Sequence, residues 1–144
     1  MIAIGSDHGG FELKAAVIEF LQKKNIEFKD MGCYDKNSVD YPDIAEVTCK
    51  KVVSGECEFG ILICGTGIGI SIAANKIDGI RAALCHSEYD AKMTRAHNNS
   101  NVLCMGGRTT GVEIALVMVD AFLSGEFEGG RHAGRVEKIM ALEK

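Results

Sequence analysis

The sequence predicts an α/β fold with three layers, in which helices cover both faces of a five-stranded parallel sheet. Short apolar runs alternate with longer amphipathic runs along the 144 residues, which is typical of consecutive βα units. The run FGILIC at 59–64 is apolar throughout, as expected for a strand buried on both faces. No internal repeat, low-complexity stretch or linker interrupts the pattern. We therefore expect a single domain over residues 1–144.

The first part of the chain alternates two strands with two helices. A strand at 1–7 precedes a helix at 11–24, in which apolar residues recur at helical spacing. A second strand is predicted at 26–32. The next helix runs through 43–55, because Pro42, the only proline, suits a first helical turn.

The second part of the chain continues the alternation after the buried strand. A helix follows the glycine-rich loop, and the sequence then predicts a strand at 80–85, a helix from about 87 to 96, a strand at 101–106 and a helix through 111–125. That last helix is apolar on almost all sides, so we expect it to be deeply buried or to lie against a partner chain. Five strands with helices on both faces make a three-layer α/β/α, Rossmann-like sandwich.

Composition excludes several classes of function. The net charge is −4 and there is no Trp, so a basic, aromatic-rich nucleic-acid surface is not expected. No leader and no apolar span of membrane length are evident, which predicts a cytoplasmic protein without a membrane partner. Six cysteines lack CxxC spacing. We interpret five as small core residues and treat Cys64 separately.

Polar residues cluster where the predicted parallel strands end. In open parallel sheets the ligand crevice lies outside these carboxyl ends. Three groups of residues follow strands one, three and five, and they are Ser6 to His8, Cys64 to Gly69, and Gly106 to Arg108. The run HNNSN at 97–101 precedes strand five, so strand geometry alone does not place it at the same edge.

The loop CGTGIG at 64–69 is the most informative motif. It lacks the Gly-Lys-Ser/Thr ending of a P-loop, and Ile70 replaces the last glycine of the dinucleotide-binding pattern. Glycines before a helix still allow several amides to converge on an anion. A thiol at a helix N-terminus ionises readily, so Cys64 could act as base or nucleophile. The alternatives are a tight packing turn and a buried structural cysteine.

The histidines and arginines offer weaker signals. His8, His97 and His132 do not have the spacing of a compact tetrahedral metal set, so we expect no metal. Arg131 and Arg135 would lie on one face of a tail helix beginning near 131, where a phosphate would relieve their repulsion.

Each of these signals has a simpler interpretation. The two tail arginines could form a solvated face balanced by Glu128 or Glu137. Asp7 could simply cap the turn after strand one, and His97 could simply end a helix. The tail also carries a narrow apolar stripe, which needs a surface to lie on.

Taken together, the motifs SDHGG, DYPD, ICGTGIGISIAANK, IRAA, HNNSNVLCMGGR and GGRHAGR resemble the ribose-5-phosphate isomerase B family, which is related to the allose- and galactose-6-phosphate isomerases. The resemblance covers essentially the whole chain. It implies interconversion of ribose 5-phosphate and ribulose 5-phosphate through a cis-enediolate, without a cofactor. Allose or galactose 6-phosphate remains an alternative substrate, and a non-catalytic module that binds a phosphate ligand is the alternative from another class.

The resemblance also implies a role for each site residue. Cys64 would be the base, Thr66 would assist proton movement between the two oxygens, and His97 would open the sugar ring. Enediolate charge would be held by the amides of Gly65, Gly67, Ile68 and Gly69. Sugar contacts are implied for Asp7 and Asn98, and phosphate contacts for His8, Arg108, Arg131 and Arg135.

The resemblance further implies shared active sites in a homodimer, or in a tetramer of such dimers. Arg131 and Arg135 would then reach across from the other subunit, with the segment from about 127 to 144 packed on the partner. Galactose-6-phosphate isomerase divides its sites between two different chains. This chain retains Cys64, His97 and both tail arginines, which favours a self-sufficient homodimer.

Overall fold

The computed structural model describes residues 1–143. Its strands are β1 (Ile2–Ser6), β2 (Phe28–Asp30), β3 (Phe59–Cys64), β4 (Ala82–Leu84) and β5 (Val102–Gly106). Its helices are α1 (Phe11–Lys23), α2 (Tyr41–Val53), α3 (Ile68–Ala74), α4 (Glu88–Asn98), α5 (Val112–Ser124) and α6 (Arg131–Met140). A 3₁₀ turn at His8–Gly10 joins β1 to α1. The predicted strands and helices are all present.

The five strands form one parallel sheet in the order β2-β1-β3-β5-β4. The chain moves from β1 to one side for β2 and returns to the other side for β3, so the strand order reverses between β1 and β3. In such sheets the crevice at this reversal is the usual ligand site. The predicted three-layer α/β/α sandwich with a five-stranded parallel sheet is therefore confirmed.

Alternate residues of each central strand serve two different cores. In β3, Ile61 and Ile63 face a core built with α1, α4 and α5. Leu62 and Cys64 face the second core, built with α2 and α3. Because side-chain direction alternates along a strand, Cys64 points toward the layer that holds the helix after the glycine loop.

Three elements differ from the sequence prediction. The edge strands β2 and β4 are three residues long, shorter than the predicted 26–32 and 80–85, because an edge strand is hydrogen-bonded along one side only. Helix α5 is buried on one face, whereas Val112, Ile114 and Val117 are exposed. Within this chain it is therefore not buried all round. None of the helices in residues 1–143 has the length and apolar character needed to cross a bilayer.

A buried lysine anchors the segment between β2 and α2. Lys14 in α1 is 1% exposed, and its Nζ donates to Asp30 Oδ1 at 2.6 Å and to the Cys33 carbonyl at 2.5 Å. A buried ammonium group is tolerated only when it is paired and hydrogen-bonded in this way. These contacts hold the segment at 31–40 against α1, and Val39 in that segment lies next to His8.

A buried arginine fixes the turn between α4 and β5. The Arg95 guanidinium lies over the Phe59 ring, 4.6 Å from its centroid, and donates to the Ser100 carbonyl at 2.6 Å. Asn99 ends α4 in a left-handed conformation, which Asn tolerates better than most residues. The positions of His97 and Asn98 depend on this turn.

Phe122 is the largest apolar side chain that is fully buried in the core beneath α5, and its ring meets Phe59 edge to face at 5.4 Å. We expect Phe122→Ala to lower the free energy of unfolding by about 3–5 kcal/mol, because it removes a buried ring and leaves a cavity. Urea denaturation measures the change. Tyr89, which is exposed, provides the control, and Tyr89→Ala should change stability by less than about 0.5 kcal/mol. Equal losses in the two variants would contradict this description of the core.

Candidate active site

The structure separates the predicted site residues into two clusters. We call the first the cysteine cluster; it lies at the carboxyl edge of the sheet and contains Asp7, His8, Cys64, Gly65, Thr66, Gly67, Ile68, Gly69 and Arg108. We call the second the histidine cluster; it lies where α4 ends and α6 begins and contains His97, Asn98, Glu128, Arg131, His132 and Arg135.

These clusters are at opposite edges of the sheet. Helix α4 starts after β4 and ends before β5, so His97 and Asn98 lie near the start of β5. Arg108 follows the end of β5. Five residues of strand at roughly 3.3 Å each separate the two edges by about 17 Å. Within one chain, therefore, the fold does not bring the histidine cluster to Cys64.

Cys64 ends β3 and lies directly beside the loop amides. Its Sγ accepts a hydrogen bond from the Gly67 N–H at 3.1 Å. The next amide, that of Ile68, donates to Thr66 Oγ1 at 3.2 Å. The Gly67–Sγ bond places an amide donor directly on the sulfur. The Ile68 bond fixes the Thr66 hydroxyl beside the loop.

The loop conformation requires glycine at position 67. Gly67 has φ of +79°, and a Cβ there would lie 2.6 Å from Leu84 Cδ1 and 2.7 Å from the Met105 carbonyl carbon. Both the backbone angle and the space exclude a larger residue. With Gly67 and Ile68 engaged, the amides of Gly65 and Gly69 have no hydrogen-bond acceptor among residues 1–143. These two amides can bind an anionic oxygen.

The loops after β3 and β5 are joined by their backbones. The Gly107 N–H donates to the Cys64 carbonyl at 2.7 Å, and the Arg108 N–H donates to the Gly65 carbonyl at 3.0 Å. A Cβ on Gly65 would lie 3.6 Å from Arg108 Nη1, so the guanidinium lies over the glycine loop. The cysteine cluster thus combines a thiol, available amides and a cation.

The loop after β1 completes the cysteine cluster. Asp7 is buried, and its Oδ1 accepts from the Gly10 N–H at 3.1 Å, so the capping role left open by the sequence is present. His8 Nδ1 accepts from the Val39 N–H at 3.3 Å. An imidazole that accepts at Nδ1 carries its proton at Nε2. His8 can therefore donate a hydrogen bond from Nε2.

The remaining thiols differ from Cys64 in their surroundings. All six cysteines are free and buried, and burial raises the pKa of Cys49 and of Cys85 to about 12. Burial also raises the pKa of Cys104 well above its ordinary value. These three thiols stay protonated at neutral pH, and only a thiolate is strongly nucleophilic.

In the histidine cluster two imidazole rings are stacked. The centroids of His97 and His132 are 4.2 Å apart and their planes differ by 12°. Glu128 Oε1 lies 3.9 Å from His97 Nε2 and 3.6 Å from His132 Nε2. Burial, followed by the neighbouring His97 and Arg131, lowers the pKa of His132 from its ordinary value.

The tail arginines are free to bind an anion. Arg131 and Arg135 are both in α6 and exposed. Neither has a carboxylate within 4.0 Å in the part of the chain that the structure describes, so the balancing role considered for Glu128 or Glu137 is not seen. Arg108 is likewise unpaired in residues 1–143.

The donor atoms of His97, Glu128 and His132 lie within 4.8 Å of one another, a residue set that can bind zinc. Imidazole lone pairs lie in the plane of the ring. Because the two planes are nearly parallel and stacked, their lone pairs cannot converge on one ion unless a ring turns. The observed arrangement is therefore not a preformed metal site.

Some residues in these clusters, or in contact with them, were not predicted from the sequence. Glu128 and Val39 had no distinguishing pattern, and His132 was considered only as a metal ligand. The GGRH motif contains His132 and could have linked it to the arginine pair. Tyr41 was also missed; its ring lies over Gly69, where a Cβ would be 2.6 Å from Tyr41 Cζ.

Comparison with known proteins gives consistent matches. The chain matches the family described as Ribose/Galactose Isomerase over residues 2–139. It is 48% identical over 143 residues to ribose-5-phosphate isomerase B of Escherichia coli, covering 99% of this chain and 96% of that protein. It is 44% identical to D-erythrulose-4-phosphate isomerase of Pectobacterium atrosepticum, covering 99% and 94%. A solved structure of ribose-5-phosphate isomerase B from Clostridium thermocellum superposes with a TM-score of 0.96 at 53% identity, covering 98% of this chain and 95% of that one.

We expect limiting iodoacetamide at neutral pH to alkylate Cys64 before the other thiols, since its Sγ accepts the Gly67 N–H and lies beside a helix N-terminus. Cys49 and Cys85 should stay unmodified because their raised pKa keeps them protonated. Peptide mass spectrometry after short exposure identifies the modified residue. The Cys64→Ser variant is the control and should lose the fast phase. Modification of Cys49 or Cys85 ahead of Cys64 would contradict the expectation.

Proposed function

The chain belongs to the ribose/galactose isomerase family, and on that premise we propose that it interconverts ribose 5-phosphate and ribulose 5-phosphate through a cis-enediolate, with Cys64 as the base. The proposal rests mainly on one observation. The Cys64 sulfur ends a buried strand and lies 3.1 Å from the Gly67 amide nitrogen, at the edge of a loop whose Gly65 and Gly69 amides are available. A base and an oxyanion site must be neighbours in this reaction.

The proposed step moves protons within the sugar. In the aldose direction the Cys64 thiolate takes the proton from C2. The C–H electron pair forms the C1–C2 double bond, and the former carbonyl pair moves to O1. The Cys64 thiol then returns a proton to C1, while the proton on O2 passes to O1 with the help of Thr66. No electrons leave the sugar, so the reaction needs no cofactor.

The loop amides stabilise the charge that develops on oxygen. Gly65 and Gly69 donate to the enediolate, and one such donor typically lowers the barrier by about 3–4 kcal/mol. The Gly67 amide holds the thiolate, and the Ile68 amide orients Thr66 through the 3.2 Å bond to Oγ1. Gly67 and Ile68 thus act through the base and the proton carrier.

Phosphate is bound at the other end of the sugar. His8 donates from Nε2, and Arg108 lies over the loop at the same edge. Asp7, in the loop after β1 at the same edge, binds sugar hydroxyls. Binding energy from the phosphate, which does not react, positions the carbon chain at the base.

A second copy of the chain completes the site. The histidine cluster is separated from the cysteine cluster of its own chain by the length of β5, which a pentose phosphate does not span. A symmetric dimer in which each chain supplies one cluster to each of two sites resolves this separation. His97, Asn98, Arg131 and Arg135 then come from the partner, and the segment from about 127 to 144 packs on it.

Surface composition supports this dimer. Arg131 and Arg135 lack carboxylate partners among residues 1–143, as expected for groups that bind a phosphate elsewhere. Ile68 and Ile72 on α3 are exposed, as are Ile139 and Leu142 in the tail. Exposed apolar groups beside both clusters are typical of a surface that is covered in an assembly.

His97 opens the sugar ring before isomerisation. The imidazole takes the proton from the O1 hydroxyl, the bond between C1 and the ring oxygen breaks with its electron pair going to that oxygen, and the imidazolium returns the proton to the ring oxygen. The product is the open-chain aldehyde, whose C2 proton is accessible to Cys64. Asn98 orients the sugar in this step. The six reduced thiols fit a cytoplasmic location, where this interconversion serves the pentose phosphate pathway.

We expect Cys64→Ala to lower the turnover of ribose 5-phosphate by about 10²–10⁴-fold, the usual contribution of a positioned base, while the protein stays folded and still binds inorganic phosphate. A coupled assay on four-, five- and six-carbon aldose phosphates measures turnover and identifies the preferred sugar. Cys49→Ala, a buried thiol away from the loop, is the control. Wild-type turnover in Cys64→Ala would refute the proposed base and favour a module that only binds a phosphate ligand.

Subunit mixing tests the shared site. Cys64→Ala and Arg135→Ala are each expected to be inactive, but a mixed dimer has one complete site, with Cys64 from one chain and Arg135 from the other. After subunit exchange at equal concentrations, about a quarter of the wild-type activity should return, because half of the dimers are mixed. Native mass spectrometry, which distinguishes the mixed dimer from both parent dimers by mass, verifies the exchange. If exchange occurs without recovery, each chain builds its own site.

A further inference from the structure

We propose that His132 and Glu128 are positioning residues for His97, and that together they hold its imidazole in the orientation in which it opens the sugar ring. This inference rests on the proposed function, in which His97 performs that step. Neither residue contacts the cysteine cluster of its own chain, since both lie at the opposite edge of the sheet.

The stacking fixes the plane of the His97 ring. His132 lies in the first turn of α6 and is only 7% exposed. Its backbone amide donates to the Gly129 carbonyl at 3.0 Å. Its ring lies 4.2 Å from that of His97 at an angle of 12°. One face of His97 is therefore covered by a fixed surface. The His97 side chain remains 38% exposed, so its other face and its edge can meet a sugar.

The Glu128 carboxylate lies beside the Nε2 atoms of both rings. Its carboxylate lies within 4.0 Å of Nε2 on both histidines. Its backbone amide donates to the Ala96 carbonyl at 3.0 Å, which attaches the segment before α6 directly to the last turns of α4. The backbone of Glu128 is therefore fixed next to the end of α4, and its largely exposed side chain reaches both imidazoles from there.

The surroundings of the pair disfavour a charge on His132. Two imidazoles stacked at this distance cannot both carry a charge at little cost. Burial, followed by His97 and Arg131, lowers the pKa of His132, while the opposing effect of Glu128 is smaller than each of these three. The buried ring therefore stays neutral at neutral pH, and His97 is the more exposed ring of the pair. That ring is the one that exchanges protons with the sugar.

The chemistry of the two substrates separates ring opening from isomerisation. Ribose 5-phosphate is mostly a closed ring, whereas ribulose 5-phosphate cannot close, because the hydroxyl that would form its ring carries the phosphoryl group. A defect in ring opening therefore lowers kcat in the aldose direction, and it spares kcat in the ketose direction because the open-chain aldehyde can leave the enzyme and close in solution. The equilibrium constant fixes the ratio of the two kcat/KM values, so when kcat/KM for the ketose is also spared, KM for the aldose falls with its kcat.

The experiment measures kcat in both directions for a set of variants. His97→Ala is the reference and should lose about 10²-fold or more in the aldose direction only. His132→Ala should lose about tenfold in the aldose direction, because a displaced catalytic group reacts more slowly. His132→Phe keeps a flat ring in the stack and should recover most of that loss. Glu128→Gln should lose about fivefold in the same direction.

The controls separate positioning from folding. Glu137→Gln, an exposed substitution on the same helix, should leave kcat unchanged in both directions. Circular dichroism and thermal melting verify that each variant is folded, and His132→Phe provides the measurement if His132→Ala unfolds. Equal losses in both directions, or no loss in either, in the His132 and Glu128 variants would overturn the positioning role. A lack of asymmetry in His97→Ala would instead refute the ring-opening step itself.

Discussion

The backbone hydrogen bonds between the ends of β3 and β5 are the constraint on which the candidate site depends. The Gly107 N–H holds the Cys64 carbonyl, and the Arg108 N–H holds the Gly65 carbonyl. These bonds continue the pairing of β3 with β5 for two residues beyond the ends of the strands. They fix the loop at 64–69, so its amides and the thiol keep their places without help from a ligand. Preorganised donors of this kind cost no reorganisation during reaction.

The parallel sheet also imposes the need for a second chain. All strand ends of one kind lie at one edge, and the helix that returns the chain to the start of β5 must end at the other. His97, at the end of α4, is therefore placed away from Cys64 by topology rather than by any particular side chain. The tail helix α6, which is basic and partly apolar, lies at this opposite edge. Two chains related by a two-fold axis can present both edges to each substrate.

Sequence patterns predicted the elements that depend on periodicity and the residues that follow strand ends. They did not predict features that depend on contacts between residues distant in the sequence. The alternation of apolar runs located all five strands, and the rule for parallel sheets grouped Asp7, Cys64 and Arg108 correctly at one edge. A lysine in an amphipathic helix is expected to be exposed. Lys14 is nevertheless buried, because Asp30 and the Cys33 carbonyl accept hydrogen bonds from its ammonium group. The stack of His97 on His132 has no periodic signature, since it depends on how α6 packs on α4.

The floor of the cysteine cluster is made of main chain from three loops. A Cβ on Gly107 would lie 2.6 Å from the Gly9 carbonyl oxygen, and one on Gly9 would lie 3.1 Å from the Gly65 amide nitrogen. No single one of these positions can acquire a side chain unless its neighbours move with it. Evolution toward shorter or longer sugars is thus confined to the side chains around this floor, which can change one at a time. Relatives that differ in substrate should therefore share this floor and diverge around its rim.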